Sequence, residues 1–241
     1  MTPEEFVQAL KKYGVALSIK QQEQFARYFH LLVEWNQKMN LTAITEEKEV
    51  YLKHFFDSLL PVFFSNLLSK KIYSLLDVGS GAGFPSFPMK ILLPKLNVVI
   101  IDSLSKRINF LKEVEKQLNL EKISFYHGRA EDFGQNLNFR ESYDFVIARA
   151  VARLNVLSEL TLPFVRKGGY FIALKASKVS KEVEEAKIVI ALLGGKIVNI
   201  KEYQLLDFKV SRFLVIVQKC KETPQKYPRK AGIPNKKPIA I

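Results

Sequence analysis

The sequence predicts an α/β protein with a doubly wound, mostly parallel sheet of seven strands behind an N-terminal helical extension. From residue 72 onward, short apolar runs alternate with segments of helical apolar spacing, the pattern of a sheet with helices on both faces. Before residue 69 the apolar residues recur only at helical spacing, and beyond residue 218 the chain turns basic and proline-rich. We therefore divide the chain into a helical extension (1–68), an α/β domain (69–218) and a basic arm (219–241).

Each element follows from its local pattern. Two capping boxes, Thr2-Pro3-Glu4-Glu5 and Ser18-Ile19-Lys20-Gln21, begin the first two helices, and a third helix is expected over about 46–59. A stripe on the second helix predicts a core face: Phe25, Tyr28, Phe29, Leu32 and Trp35. Strands are predicted near 72–77, 97–101, 122–126, 143–148, 169–175, 195–201 and 212–219. Helices in the same domain are predicted near 85–93, 105–118, 154–164 and 178–193.

Composition restricts the environment and the partners. The chain has 241 residues, 48% of them hydrophobic, yet no apolar run approaches the ~18 residues that cross a membrane. The acidic start MTPEEF and the single cysteine, Cys220, predict a cytoplasmic protein without a signal peptide. Three scattered histidines predict no metal site. The net charge of +13 predicts a polyanionic partner but does not distinguish RNA, DNA and an acidic membrane.

The most informative segment is 74–84, SLLDVGSGAGF. An apolar strand ends at Asp77, and Gly79, Gly81 and Gly83 follow in alternation. Glycines have no side chain to block a ligand, and they tolerate the positive φ of a tight turn. A helix then begins near Pro85, so its N–H groups point back at the turn. The segment predicts a nucleotide-cofactor site.

Two common nucleotide motifs do not fit this turn. The dinucleotide fingerprint needs a small residue where Phe84 or Ser86 stands, and Lys90 lacks the neighbours of a P-loop. The remaining pattern, Asp-x-Gly-x-Gly-x-Gly, is similar to motif I of the class I S-adenosylmethionine methyltransferases. There the glycines would make room for the methionine part of the cofactor and its sulfonium. The alternative is a glycine-rich turn that binds nothing.

Asp102 ends the second apolar run. It follows Gly79 by 23 residues, close to the ~20 expected of an acidic residue that binds ribose hydroxyls. Its carboxylate could instead cap the helix 105–118 or pair with Lys106 or Arg107. After the glycine turn, the ribose interpretation is favoured.

The absence of certain catalytic groups limits the methyl acceptors that are possible. Cys220 lies outside the expected active-site loops, so a cysteine nucleophile is not predicted. The fourth strand continues as DFVIARAVARL, without the Asn/Asp-Pro-Pro-aromatic motif of exocyclic-amine methylation. Arg149 stands at its carboxyl end, where α/β sheets bind ligands, and arginine cannot act as a base. An acceptor with a free lone pair, such as guanine N7, needs only alignment.

Motifs along nearly the whole chain resemble the RsmG (GidB) family. They are WNQKMNLTA (35–43), HFFDSL (54–59), DVGSGAGFP (77–85), DSLSKR (102–107), RAEDF (129–133), ARAVARL (148–154), ALKA (173–176) and KYPRK (226–230). Those proteins are 16S rRNA guanine-N7 methyltransferases that act in the 530 loop. The resemblance implies S-adenosyl-L-methionine as cofactor, S-adenosyl-L-homocysteine as product, and 16S rRNA or the small ribosomal subunit as partner. A monomer without membrane association is expected.

The resemblance also implies particular cofactor-binding residues. Matched by motif, they are Gly79, Phe84, Ala130, Glu131 and Arg149; Asp77, Gly81 and Asp102 are added on class I grounds. Many members have Gly-Ile where this chain has Ser86-Phe87, which affects side-chain packing at that point. Two other classes stay open: a non-catalytic RNA-binding or assembly factor with a cofactor site, and a nicotinamide oxidoreductase.

Several polar residues keep two interpretations. His54 and Asp57 share a helix face with each other, and a buried network is favoured over catalysis, although His54 is a positioning candidate together with Arg149 and Lys175. Arg153 could contact phosphate or face solvent. Lys175 ends the fifth strand and is the better phosphate candidate.

The arm, residues 219–241, is expected to clamp the RNA backbone. A disordered solubilising tail is the alternative. The RNA-binding candidates on the arm are Lys226, Arg229, Lys230, Lys236 and Lys237. With so few large apolar residues, the arm is expected to become ordered on RNA rather than fold alone.

Overall fold

The computed structural model describes residues 1–65, 73–176, 179–204 and 211–239. Four details of the expected layout lie outside these residues. They are the boundary between 68 and 69, the first residue of the strand expected at 72–77, the first residue of the helix expected at 178–193, and the last two residues of the arm.

A seven-stranded mixed sheet forms the centre of the α/β domain, in the order β3-β2-β1-β4-β5-β7-β6. The strands are β1 Ser74–Val78, β2 Asn97–Asp102, β3 Ile123–His127, β4 Tyr143–Arg149, β5 Val165–Lys175, β6 Gly195–Gln204 and β7 Ser211–Lys219. Strands β1 to β5 pair in parallel, and β7 is antiparallel to both β5 and β6. The predicted mostly parallel sheet is therefore confirmed. The strand order reverses between β1 and β4, where an open α/β sheet binds its ligand.

Helices cover the sheet and form the extension. They are α1 Pro3–Lys12, α2 Ile19–Met39, α3 Glu47–Val50, α4 Asp57–Ser65, α5 Ser86–Leu92, α6 Ser105–Gln117, α7 Ala130–Gln135, α8 Leu154–Thr161, α9 Val179–Leu192 and α10 Ile233–Lys236. Both predicted capping boxes are present, at Thr2 and Ser18. A π-helical segment, Tyr51–Phe56, joins α3 to α4, so the third predicted helix extends beyond its expected end. No helix in the described ranges is long and apolar enough to span a bilayer.

The helical extension shares one apolar core with the α/β domain. Phe25, Tyr28 and Leu32 of the predicted stripe are buried in a cluster that also contains residues of β1, β2 and α6. The Tyr28 hydroxyl donates to the carbonyl of Ala82 in the glycine turn. Gln24 donates from Nε2 to Leu118 O over 2.7 Å. The extension therefore fixes one side of the turn.

The arm differs from its expected form, because residues 219–239 pack on the α/β domain. Lys219 ends β7 and is buried, donating to Leu162 O over 2.7 Å and pairing with Glu141 at 2.9 Å. Arg140 donates to the carbonyls of Thr223 and Tyr227 over 2.6 and 2.7 Å. The expectation of an arm that orders only on RNA is therefore corrected. The described residues of the arm have no apolar core of their own and are held by these polar contacts together with Tyr227, which is buried in the apolar core of the domain.

Candidate active site

The glycine turn connects β1 to α5 and hydrogen-bonds to the carboxyl end of β2. Gly79 has φ +72° and donates its N–H to Ile101 O over 2.8 Å. Gly81 has φ +62° and donates its N–H to Asp102 Oδ2 over 3.1 Å. Gly83 serves packing instead, because a Cβ there would lie 2.6 Å from the Tyr28 hydroxyl oxygen. The first two glycines thus shape the turn, and the third lets α2 approach it.

Asp77 is buried directly before this turn. Its Oδ2 accepts the backbone N–H of Ser86 over 3.2 Å, while its Oδ1 has no partner in the described part of the chain. Burial raises the pKa of Asp77 to about 7, and the hydrogen bonds from Ser86 oppose that rise. A buried carboxylate oxygen without a partner is the kind of group that a bound ligand or water satisfies.

Asp102 connects the turn to the loop after β2. Its Oδ1 accepts the N–H of Leu104 over 3.0 Å, and Arg107 lies 3.7 Å from its Oδ2. The carboxylate does not cap α6, whose N-cap is Leu104 without a side-chain bond. Since a carboxylate offers about four acceptor positions, these contacts leave it able to accept ribose hydroxyls as well.

A cavity of about 100 Å³, here called the glycine cavity, lies at the ends of β1 to β4. Its lining combines glycines and small residues with apolar and polar side chains: Val78, Gly79, Ile101, Ser103, Gly128, Arg129, Ala130, Glu131, Val151, Leu160 and Asn235. Glu131 is buried there, and its Oε1 accepts the N–H of Gly232 from the arm over 2.8 Å. Ser103, Arg129 and Asn235 are exposed at its rim. Ala130 and Glu131 therefore line the same cavity as Gly79 of the glycine turn.

A larger cavity of about 420 Å³, here called the arginine cavity, lies on the other side of the β4 end. Its lining is largely charged: Ile44, Lys53, His54, Asp57, Arg149, Ala150, Leu174, Lys175, Ala176, Glu182 and Arg212. Asp57 accepts from Arg149 Nη1 over 3.0 Å and from Arg212 Nε over 3.2 Å. One buried carboxylate thus holds two guanidinium groups at the cavity wall.

His54 belongs to a structural network. Its Nε2 lies 2.8 Å from Thr42 Oγ1, and its Nδ1 lies 3.3 Å from Arg149 Nη2. Because the guanidinium can only donate, Nδ1 accepts and Nε2 carries the proton. Burial and the charge of Arg149 lower the pKa of His54 to about 3, so the ring is neutral and both its nitrogens are occupied.

Phe84 bridges the extension and the arginine cavity. Its ring stacks on His54 at 4.6 Å and on Tyr28 at 5.5 Å, and the Arg149 guanidinium carbon lies 4.9 Å from the ring centre. The side chains of Phe84 and Arg149 therefore lie together, apart from Ala130 and Glu131. The structure thus separates the implied cofactor residues into two groups.

The two charged candidates after β4 and β5 are engaged in ion pairs. Lys175 pairs with Glu182 at 2.7 Å and donates to Ala152 O over 2.9 Å at the arginine cavity. Arg153 pairs with Glu185 at 2.6 Å on the surface. Neither is a free cation in this structure, which departs from their expected role as phosphate contacts.

Sequence reasoning missed Arg212 and Asn235. Arg212 is the second residue of the otherwise largely apolar strand β7, where a charged residue is unexpected, and this was its only local signal. Asn235 stands among lysines and prolines, with no signal for a role at the glycine cavity. Among the described residues, no group of three His, Cys, Asp or Glu is placed to hold a metal.

The sheet order and its flanking helices are those of the class I methyltransferase fold. The structure superposes on that of M. jannaschii TYW2 in complex with AdoMet, with a TM-score of 0.52 and 15% identity over 68% of this chain and 76% of that one. It also superposes on TrmN from Thermus thermophilus, with a TM-score of 0.51 and 18% identity over 70% and 53% of the two chains. At these identities the likeness establishes the fold alone.

The sequence comparisons identify the family. Residues 21–210 match the model of the GidB family, described as rRNA small subunit methyltransferase G. Proteins of that description from Streptococcus pyogenes serotype M3 and Streptococcus gordonii are 59% and 57% identical, over 99% of this chain and 100% of theirs. The chain belongs to the GidB family of rRNA small subunit methyltransferases, and it is a methyltransferase.

Proposed function

We propose that this chain transfers a methyl group from S-adenosylmethionine to N7 of a guanine in the 530 loop of 16S rRNA. Family membership supports the reaction class. One structural observation supports the placement of the methyl donor and the acceptor in the two cavities. The glycine cavity and the arginine cavity lie on opposite sides of the segment 149–151, with Val151 lining the first and Ala150 the second. A methyl donor and its acceptor can therefore approach each other across the end of β4.

The residues of the glycine cavity and of the adjoining glycine turn fit the proposed cofactor. When bound, the cofactor supplies an electrophilic methyl group. Gly79 and Gly81 would let it approach the backbone, the unpartnered Oδ1 of Asp77 suits its cationic methionine part, and Asp102 suits the ribose hydroxyls. Ala130 and Glu131 would line the side toward β3.

The arginine cavity suits an acceptor that needs no deprotonation. Arg149 cannot take a proton, and His54 has both ring nitrogens engaged. Guanine N7 carries a free lone pair, so alignment within the cavity is the main requirement. We assign Arg149 and Lys175 to positioning the acceptor, while His54, Asp57 and Arg212 position it indirectly by holding Arg149 and the cavity wall in place.

The target guanine must leave its helix to reach this cavity. In paired RNA the N7 edge faces a deep, narrow major groove that side chains cannot enter, so the base must be unpaired or flipped. The exposed lysines of the arm, Lys226, Lys230, Lys236 and Lys237, are proposed to contact the surrounding phosphates. An rRNA substrate implies a cytoplasmic location, and we propose that the protein acts as a monomer.

Labelled methyl transfer tests this function. Purified protein is incubated with methyl-labelled S-adenosylmethionine and either 16S rRNA or 30S subunits, and the product is mapped by mass spectrometry. We expect one N7-methylguanine in the 530 loop, and none when that guanine is replaced by 7-deazaguanine. Label at another atom, or label that survives the replacement, would overturn the assignment to N7. Comparing the two substrates also shows which form of the RNA is used.

A further inference from the structure

The arm returns to the α/β domain and ends at the mouth of the glycine cavity. Arg229 pairs with Glu159 of α8, and Gln135 of α7 donates from Nε2 to Pro228 O over 2.7 Å. Beyond these anchors, the Gly232 N–H donates to Glu131 Oε1 over 2.8 Å. Because Glu131 is itself part of the cavity wall, this last bond fixes the start of α10 directly against the site.

Asn235 of α10 completes the wall of that cavity. It lines the same space as Gly79, Ala130 and Val151. Its side-chain amide makes no hydrogen bond to any residue that the structure describes, so both its donor and its acceptor are available. Such a primary amide at a cavity rim can recognise a ligand that presents a donor beside an acceptor.

The order of the strands indicates which part of the cofactor this amide would meet. The glycine turn follows β1 and Asp102 ends β2, while Gly128, Ala130 and Asn235 surround the space beyond β3. If the methionine part lies at the turn and the ribose at Asp102, the base lies toward β3. Adenine there presents the N6 amine beside a ring nitrogen, the donor and acceptor pair that an Asn amide matches.

We propose that Asn235 binds the adenine of the cofactor, which makes the C-terminal arm one wall of the cofactor site. This proposal rests on the proposed use of S-adenosylmethionine. It assigns the arm two roles on two faces: Asn235 contacts the cofactor, and the exposed lysines around it contact RNA. Cofactor affinity should then depend on an arm residue whose side chain is uncharged.

A cycle of two proteins and two ligands tests the contact. Calorimetry measures the affinities of two ligands: S-adenosylhomocysteine, and its analogue in which hydrogen replaces the N6 amine. Each ligand is titrated into the unmodified full-length protein and into Asn235→Ala. In the unmodified protein, we expect loss of the amine to weaken binding about 3- to 10-fold, the effect of one neutral hydrogen bond. In Asn235→Ala, the two ligands should bind almost equally. Lys236→Gln, in the same short helix, should keep the preference of the unmodified protein.

The outcomes separate the two proposals. The same loss for the analogue in both proteins would overturn the role of Asn235 while leaving the cofactor assignment intact. Failure of the unmodified protein to bind S-adenosylhomocysteine would overturn the cofactor assignment, and the role of Asn235 with it. Because Asn235 is exposed, thermal unfolding of Asn235→Ala should match that of the unmodified protein.

Discussion

Arg229 of the arm and Glu159 of α8 form a bidentate ion pair beneath the arm. Arg229 Nε donates to Glu159 Oε1 over 2.9 Å, and Nη2 donates to Oε2 over 2.7 Å. The backbone N–H of Arg229 also donates to Oε1 over 2.9 Å. Glu159 is only 1% exposed, so Arg229 neutralises a carboxylate that water does not reach. The residue expected to bind RNA is therefore a structural anchor.

The first prediction is that Arg229→Met destabilises the fold by about 3 kcal/mol. Removing one partner of a buried pair leaves the other charge uncompensated, and the effect is at the low end of the usual range because Arg229 is partly exposed. Urea unfolding measures it. Lys230→Met, at the exposed neighbouring position, should leave the free energy of unfolding unchanged. If Arg229→Met were as stable as the unmodified protein but bound rRNA with a smaller salt dependence, Arg229 would contact RNA after all.

The second prediction concerns four of the exposed lysines of the arm, those from position 226 onward. Changing Lys226, Lys230, Lys236 and Lys237 together to Gln should reduce the slope of log K against log salt for rRNA by about 2–4, since each phosphate contact contributes about 0.7–0.9. The free energy of unfolding should not change. The control is the double variant Lys11→Gln with Lys12→Gln, at exposed positions of α1, which removes surface charge away from the arm. An unchanged slope in the fourfold variant would remove the arm from the RNA interface.

The third prediction is that Gly79→Ala weakens S-adenosylmethionine binding by more than about 10-fold, as expected where a ligand needs close backbone approach. The new Cβ would lie 3.1 Å from Val151 Cγ2, and φ at Gly79 is +72°. Gly14→Ala is a matched control, because Gly14 has φ +74° and its Cβ would meet nothing within 4 Å. Both variants should lose some stability through backbone strain, measured by unfolding. Equal cofactor affinity in the two variants would contradict the assignment of the turn.

The fourth prediction is a pH dependence of cofactor binding through Asp77. Its folded-state pKa is raised to about 7, so between pH 4 and 7 the folded state binds more protons than the unfolded state. Its contribution to stability is therefore lost as pH rises through that window. A cationic ligand favours the ionised carboxylate, so S-adenosylmethionine affinity should rise between pH 6 and 8. In Asp77→Asn, calorimetry should find that rise absent.

The fifth prediction is that the rate of methyl transfer at saturating cofactor does not depend on pH near neutrality. His54 has its pKa lowered to about 3, so it stays neutral above pH 5 and contributes no ionisation near neutrality. With guanine N7 as the acceptor, no side chain needs to remove a proton. The single-turnover rate, followed by quench-flow, should therefore change little between pH 6 and 8.5. A bell-shaped profile centred near pH 7 would instead indicate an essential acid or base.

The sequence was sufficient for the elements that depend on neighbouring residues. The capping boxes at Thr2 and Ser18, the seven strands and the glycine turn each follow from a pattern within about ten residues, and all are present. The likeness to one family was also visible, because its motifs lie in order along the chain. Local hydrogen bonding and the spacing of apolar residues make these features predictable without knowledge of the distant contacts.

Only the tertiary structure determined which charged side chains form ion pairs with each other. Asp57 and Arg212 are 155 residues apart in the chain and 3.2 Å apart in the cavity wall. The arm looked like a free basic tail because the carboxylate that holds it, Glu159, lies 70 positions before Arg229. A sequence shows what each side chain can bind, whereas the partner of a buried charge is set by how the sheet and helices pack. That packing places Asn235 of the arm against the glycine cavity, a position that the sequence alone did not indicate.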